Sequence, residues 1–124
     1  MSERVEGGCL CGAVRFVARG EPDRVGVCHC LHCRKHHGAV FFAAAMFAAQ
    51  QVVITGETRC YRGRCFCPEC GSSVFNRFEG EVEVHLGALD ATDRFVPTYE
   101  CWTARREGWL PAFAGTRRFE GDRE

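Results

Sequence analysis

Cys28, Cys30 and Cys33 stand in the string CHCLHC, inside a stretch from Gly26 to Phe42 that also holds His29, His32, His36 and His37. Cysteines two or three positions apart are poor disulfide partners in most backbones but good joint ligands for one metal ion. Three protein ligands leave a tetrahedral ion with an open position, the pattern of a reactive zinc. Four make a closed clasp. The spacing leaves both readings open. Any of those four histidines could complete the set with imidazole, and Cys60, Cys65 or Cys101 could complete it with sulfur.

If the position is open, three thiolates around a divalent cation carry a net negative charge. Such a centre is a weak Lewis acid toward water and suits a further thiolate as its fourth ligand. Metal coordination keeps that thiol deprotonated at neutral pH. The chemistry favoured is making or breaking a carbon–sulfur bond on a bound thiol. Arg34 and Lys35 follow the third cysteine directly. They either meet the carboxylates of an anionic thiol such as glutathione or form a solvated basic turn.

A second constellation reads as a clasp. Cys67 and Cys70 lie in CPECG, where Gly71 permits the left-handed turn that aims both sulfurs at one ion. Cys9 and Cys11, in GGCLCG, are expected to supply the other two ligands, as alternate residues of an extended strand facing one side. The rival is a redox dithiol. That reading expects a helix after the motif, whereas GSSVFNRF reads as a turn and a strand.

The elements around these groups read as mostly β. AVRFVA places Val14, Phe16 and Ala18 on one face of a strand. The apolar run VFFAAAMFAA is rich enough in alanine to be helix or strand, and QVVIT leans to strand. SVFNRFEGEVEVHLGAL reads as a hairpin, Val74 to Phe78 and Glu81 to Leu86 about a turn at Glu79-Gly80. LDATDRF is expected to form a helical turn capped by Asp90 or Thr92. Phe41, Phe42, Phe47, Phe66, Phe75, Trp102 and Trp109 are core candidates. After Gly115 the chain turns polar and is expected to fray.

With 124 residues the chain suits one domain with a core of its own. Sixteen basic residues cancel sixteen acidic ones, which disfavours nucleic acid and a polybasic membrane contact as partners. The longest apolar run, Ala39 to Ala49, is too short to span a bilayer. The start, MSERVEGG, lacks the apolar stretch of a signal peptide, so a cytoplasmic location is expected. In a reducing compartment, ten cysteines in tight groups point to metal ahead of disulfides.

Taken in order, GGCLCGAVRF, CHCLHCRKHHGA, RCFCPECGSSVF and LGALDA, then Pro97, Glu100, Trp102 and Trp109, resemble the glutathione-dependent formaldehyde-activating enzyme family, whose domain also occurs in a centromere protein. The resemblance runs from about Val5 to Gly115. It implies a Mss-four-like fold of β-sheets clasped by zinc. It implies two Zn2+ per chain, one structural on Cys9, Cys11, Cys67 and Cys70, the other catalytic on Cys28, Cys30 and Cys33. The implied activity is a carbon–sulfur lyase reaction joining formaldehyde to glutathione as S-hydroxymethylglutathione. A base must then handle the hydroxyl proton, and His32, His36 and His37 are near in sequence. The alternative is a zinc-stabilised binding module or adaptor without turnover, whose second site would be saturated.

Overall fold

Alternation of apolar and polar side chains builds most of the molecule from short strands. The computed structural model describes residues 4–123, so Met1 to Glu3 of the charged N-terminal stretch lie outside the described residues. The strands are β1 (Arg4–Gly8), β2 (Arg15–Arg19), β3 (Arg24–Cys28), β4 (Phe42–Ala48), β5 (Val52–Thr55), β6 (Arg59–Tyr61), β7 (Arg64–Phe66), β8 (Ser73–Phe78), β9 (Glu81–His85), β10 (Tyr99–Cys101) and β11 (Arg117–Arg118). One seven-residue helix, α1 (Leu31–His37), follows β3. The strands form two sheets, β1-β2-β5 and β11-β10-β3-β4-β9-β8-β7-β6. Pairing is antiparallel except where β10 runs parallel to both β3 and β11.

Val14, Phe16 and Ala18 are buried as their alternation required, and they meet Ala45, Phe47, Val74, Val82 and Val84 between the sheets. The ambiguous alanine-rich run resolves as β4. It lies between β3 and β9. Both of its faces are largely covered, with Phe42, Ala44, Ala45, Met46 and Phe47 buried. Pairing on two sides overrides alanine's helical preference, a tertiary effect that local sequence does not carry. The β8–β9 hairpin forms as read. Phe78 pairs with Glu81 across a two-residue turn, and Gly80 supplies its positive φ of 74°.

Two expectations fail for identifiable reasons. LDATDRF forms no capped helical turn; Leu86–Ala88 makes a 3-10 turn just before it. The Asp90 carboxylate is taken up by Arg15, with Nη1 at 3.0 Å from Oδ1, and its amide donates to Glu6 O at 2.9 Å. The expected fraying after Gly115 is also overturned. β11 adds to β10, the Phe119 amide donates to Glu100 O at 2.9 Å, and the Trp102 amide donates to Gly121 O at 2.9 Å. The indole Nε1 of Trp102 donates to Asp122 Oδ1 at 2.8 Å.

What holds this strap down is a carboxylate on β10. Glu100 is fully buried. It accepts from Thr116 Oγ1 at 2.6 Å, from the Phe113 amide at 2.9 Å and from His29 Nε2 at 2.9 Å. Burial alone would raise its pKa, but the hydrogen bonds from Thr116, His29 and Phe113 outweigh it and hold the carboxyl at about 2. A depressed carboxyl stabilises the fold above its unfolded value, and that stabilisation fades as pH falls toward its folded value. Glu100→Gln should therefore cost about 3 kcal/mol at neutral pH. The gap to wild type should narrow as pH falls from 4.5 toward about 2. Urea melts of both proteins across that range check it, and a gap independent of pH would refute the assignment.

Candidate metal centres

Two groups of sulfurs converge among the described residues, each with its ligand atoms within 4.8 Å of one another. They are Cys9, Cys11, Cys67 and Cys70, and Cys28, Cys30 and Cys33. In the first group Cys11 Sγ lies 3.7 Å from both Cys9 Sγ and Cys67 Sγ. A tetrahedral zinc with bonds of about 2.3 Å spaces its sulfurs by about 3.8 Å, so the donor set fits that ion. Backbone amides already point at the sulfurs. Val14 N donates to Cys9 Sγ at 3.2 Å and Glu69 N to Cys67 Sγ at 3.3 Å. Ser72 joins the two loops, accepting from Leu10 N at 3.0 Å while its hydroxyl sits 3.2 Å from Cys70 Sγ. Ser72 also holds the Cys70 thiol down at about 5. One detail differs from the sequence reading. Cys9 and Cys11 converge through a turn after β1, not along a strand. Gly12 closes that turn at φ +87°, and Gly71 does the same for the partner loop at φ +79°.

The second group gathers at the junction of β3 and α1. Cys28 ends β3, Cys30 caps α1 by accepting from the Cys33 amide at 3.3 Å, and Cys33 lies in the helix. Phe42 and Ala44 of β4 pack beneath them. The three thiols share their charge unequally. Cys33 is pulled down, first by the Cys28 hydrogen bond and further by Cys30 and the Arg64 guanidinium. Cys28 is pushed up, first by that same bond to Cys33 and then by burial. All three sulfurs can be ionised together only if a cation sits among them, so this set also fits a metal.

Among the described residues no histidine joins the three sulfurs. His29 turns away to Glu100. His36 Nδ1 lies 3.0 Å from Ser73 Oγ, and His37 packs edge-on against Phe42 and His85. His85, which the sequence reading passed over, is buried, bonded to Asn76 Oδ1 at 3.1 Å and to Ser73 Oγ at 3.2 Å. Its alternating place in β9 was visible; its polar partners were not. Cys60 and Cys65 face each other across β6 and β7 and form a disulfide, which removes both as ligands and departs from the preference for metal at these two positions. Cys101 stays apart from the three, although it pairs with Cys28 in register.

The three sulfurs open on a cavity of about 360 Å³, whose walls include Arg24, Arg64, Glu83, Tyr99 and Arg123. A second cavity of about 370 Å³ adjoins it, lined by Leu31, His32 and Arg105, with Cys30, Arg64, Trp102 and Asp122 common to both. Arg34 and Lys35 line neither cavity. Arg34 is engaged by Glu107 and by Arg105 O, the latter at 3.0 Å, while Lys35 is exposed on α1. The cations facing the sulfurs come instead from β3, β7 and the C-terminal strap.

A family model described as glutathione-dependent formaldehyde-activating enzyme matches residues 4–105, and the chain belongs to that family. A crystal structure of a Rhodobacter sphaeroides protein is similar in fold, with TM-score 0.58 and 23% identity over 74% of this chain and 97% of that one. No curated protein matches the chain.

Tyr99 reaches the cavity wall because it pairs with Gly26 across β3 and β10. A Cβ at Gly26 would lie 2.2 Å from Tyr99 Cζ. Gly26→Ala should displace the ring and destabilise the protein by about 1–3 kcal/mol. Thermal melts together with quenching of tyrosine fluorescence check this, and an unperturbed melt would contradict the packing described.

Proposed function

We propose that the protein is a carbon–sulfur lyase that joins glutathione, or a closely related small thiol, to formaldehyde to give S-hydroxymethylglutathione. The observation that carries the reading is the contrast between the two sulfur groups. One gathers four sulfurs against the edge of the core; the other gathers three and faces a cavity. Family membership supports the same substrate class.

In this reading Cys9, Cys11, Cys67 and Cys70 hold a structural zinc, and Cys28, Cys30 and Cys33 hold a second. Zinc at the second site would supply a place where a substrate thiol stays ionised at neutral pH. Arg64 offsets the negative charge that three cysteine sulfurs concentrate beside Cys33. The reaction forms one bond between sulfur and the aldehyde carbon. The carbonyl π pair moves to oxygen, and the proton lost by the thiol ends on that oxygen, so nothing is oxidised. Of the three histidines near in sequence, His32 lines the second cavity, which supports it as the group that passes this proton. No nucleic acid or membrane partner enters the reading. Among the described residues no helix is long and apolar enough to cross a membrane.

Metal content and stability test the two sites separately. Protein purified without chelator should carry two zinc ions per chain. A structural zinc contributes on the order of 10 kcal/mol to folding, so Cys67→Ser should give unfolded or insoluble protein. Cys30→Ser should stay folded with one zinc. Equal damage from both would make the second site structural and remove the enzyme reading's main support. After cobalt substitution, glutathione should strengthen the sulfur-to-cobalt charge-transfer bands, increasingly so at higher pH because binding releases a proton. S-methylglutathione should have little effect. A spectrum indifferent to both would point to a saturated site and a binding module.

A further inference from the structure

The two cavities meet at Cys30, Arg64, Trp102 and Asp122; all three cysteines line the first, and Cys30 alone of them lines the second as well. A thiol on the middle residue of a tripeptide suits that geometry, because its two arms can leave the sulfur in opposite directions. The lobes differ in charge. The first offers both signs: Glu83 on β9, and Arg24 and Arg123. Arg24 is occupied by Asp23 at 2.7 Å and Glu81 at 3.6 Å. Arg123 lies over the Tyr99 ring, its guanidinium carbon 5.5 Å from the centroid, and has no acidic partner among the described residues.

 The Arg123 side chain is exposed and makes no hydrogen bond or ion pair among the described residues, so its N–H groups can bind a carboxylate. The second lobe offers cations with no acid of its own. Arg105 stands there exposed, its side chain without a hydrogen bond or ion pair among the described residues, and Asp122 at the junction is engaged by Trp102 Nε1 at 2.8 Å.

We infer that the site binds glutathione in one orientation, with the zwitterionic γ-glutamyl end in the first lobe against Glu83 and Arg123 and the glycyl carboxylate in the second against Arg105. The inference rests on the glutathione reading above and adds which residues distinguish the two ends. An ammonium and a carboxylate on one carbon need both an acid and a base in one lobe, and the walls of the first carry both, Glu83 keeping one oxygen for the ligand while its Oε1 accepts from Asn76 Nδ2 at 3.1 Å. A lone carboxylate needs only a cation, which Arg105 supplies. Arg64 stays with the sulfurs: its Nε is buried without a hydrogen-bond partner, and its guanidinium reaches Cys33. Arg105 and Arg123 are therefore specificity-determining residues, one for each end of the ligand.

Calorimetric titration of the zinc-loaded protein with three probes tests the orientation. The probes are glutathione, its glycyl monoethyl ester and N-acetylglutathione. Wild type should bind the ester and the N-acetyl compound about tenfold more weakly than glutathione, the loss of one charged contact each. Arg105→Gln should weaken glutathione about tenfold and leave the ester unchanged, since the ester has already lost that contact. Arg123→Gln should weaken glutathione and the ester alike. Glu83→Gln should weaken glutathione but leave the N-acetyl compound unchanged. Arg105 and Arg123 are exposed, so both variants should fold. If wild type binds the ester as tightly as glutathione, or if Arg123→Gln abolishes the ester's disadvantage while Arg105→Gln does not, the orientation is overturned and the glutathione reading survives. If wild type binds none of the three, both fall.

Discussion

Sulfur atoms drawn together from separate parts of the chain are the constraint on which the rest of the structure depends. Cys9 and Cys11 leave β1 at the edge of the small sheet, while Cys67 and Cys70 lie between β7 and β8 of the large one. Bringing these four within 4.8 Å of one another ties the two sheets at one end. The apolar core between the sheets continues into that end, since Cys9 and Cys67 are themselves buried in it. Packing and the clasp therefore support the same arrangement. A core of valines, alanines and phenylalanines fills the space, and the sulfurs fix where the two sheets meet.

The second sulfur group draws on the same framework differently. Its backbone is set by a change of element: β3 stops at Cys28, Cys30 caps α1 through its own sulfur, and Gly38 ends the helix at φ +68°. The helix is short, and its position is fixed from the large sheet by His36 on Ser73 and by His37 against Phe42 and His85. These histidines, which looked in the sequence like rivals of the cysteines for a metal, hold the helix that carries Cys33. His29 belongs to a third arrangement. It faces away from the sulfurs and donates to Glu100, which binds the C-terminal strap. Strand alternation explains the separation: Cys28 and His29 are adjacent and leave the backbone on opposite sides.

Local periodicity and ligand spacing were legible where one residue's environment is set by near neighbours. The β8–β9 hairpin, the buried face of β2 and the closely spaced sets CLC, CHCLHC and CPEC all follow from short strings, whereas the meeting of the first and third sets joins residues 56 positions apart. Long-range pairing was not legible. Nothing within VFFAAAMFAA says that strands will flank it on both sides. Nothing in the polar residues after Gly115 says that a buried carboxylate at Glu100 will accept Thr116. Asp90 read as a helix cap because its partner Arg15 lies 75 positions away in sequence. The Cys60–Cys65 pair was open to a better reading: two cysteines separated by YRGR fit a tight hairpin, where cross-strand partners face each other.

The same distinction between local and distant contacts runs through the site itself. Ligand spacing lies within short strings and inside residues 4–105, the span that matches the family. The charged lining is assembled from distant strings. Arg64 arrives from β7, Glu83 from β9, and Asp122 and Arg123 from a strap that begins after the matched span ends. The strap stays in place through Glu100 and through the Trp102–Asp122 bond, neither of which touches a sulfur ligand. The sulfurs and this part of the charged lining thus rest on separate parts of the chain. Asp122 and Arg123 stand on a segment that supplies no sulfur to either group. The sulfurs join the two sheets, and the C-terminal strap separately adds charge to the wall of the cavity that the second group faces.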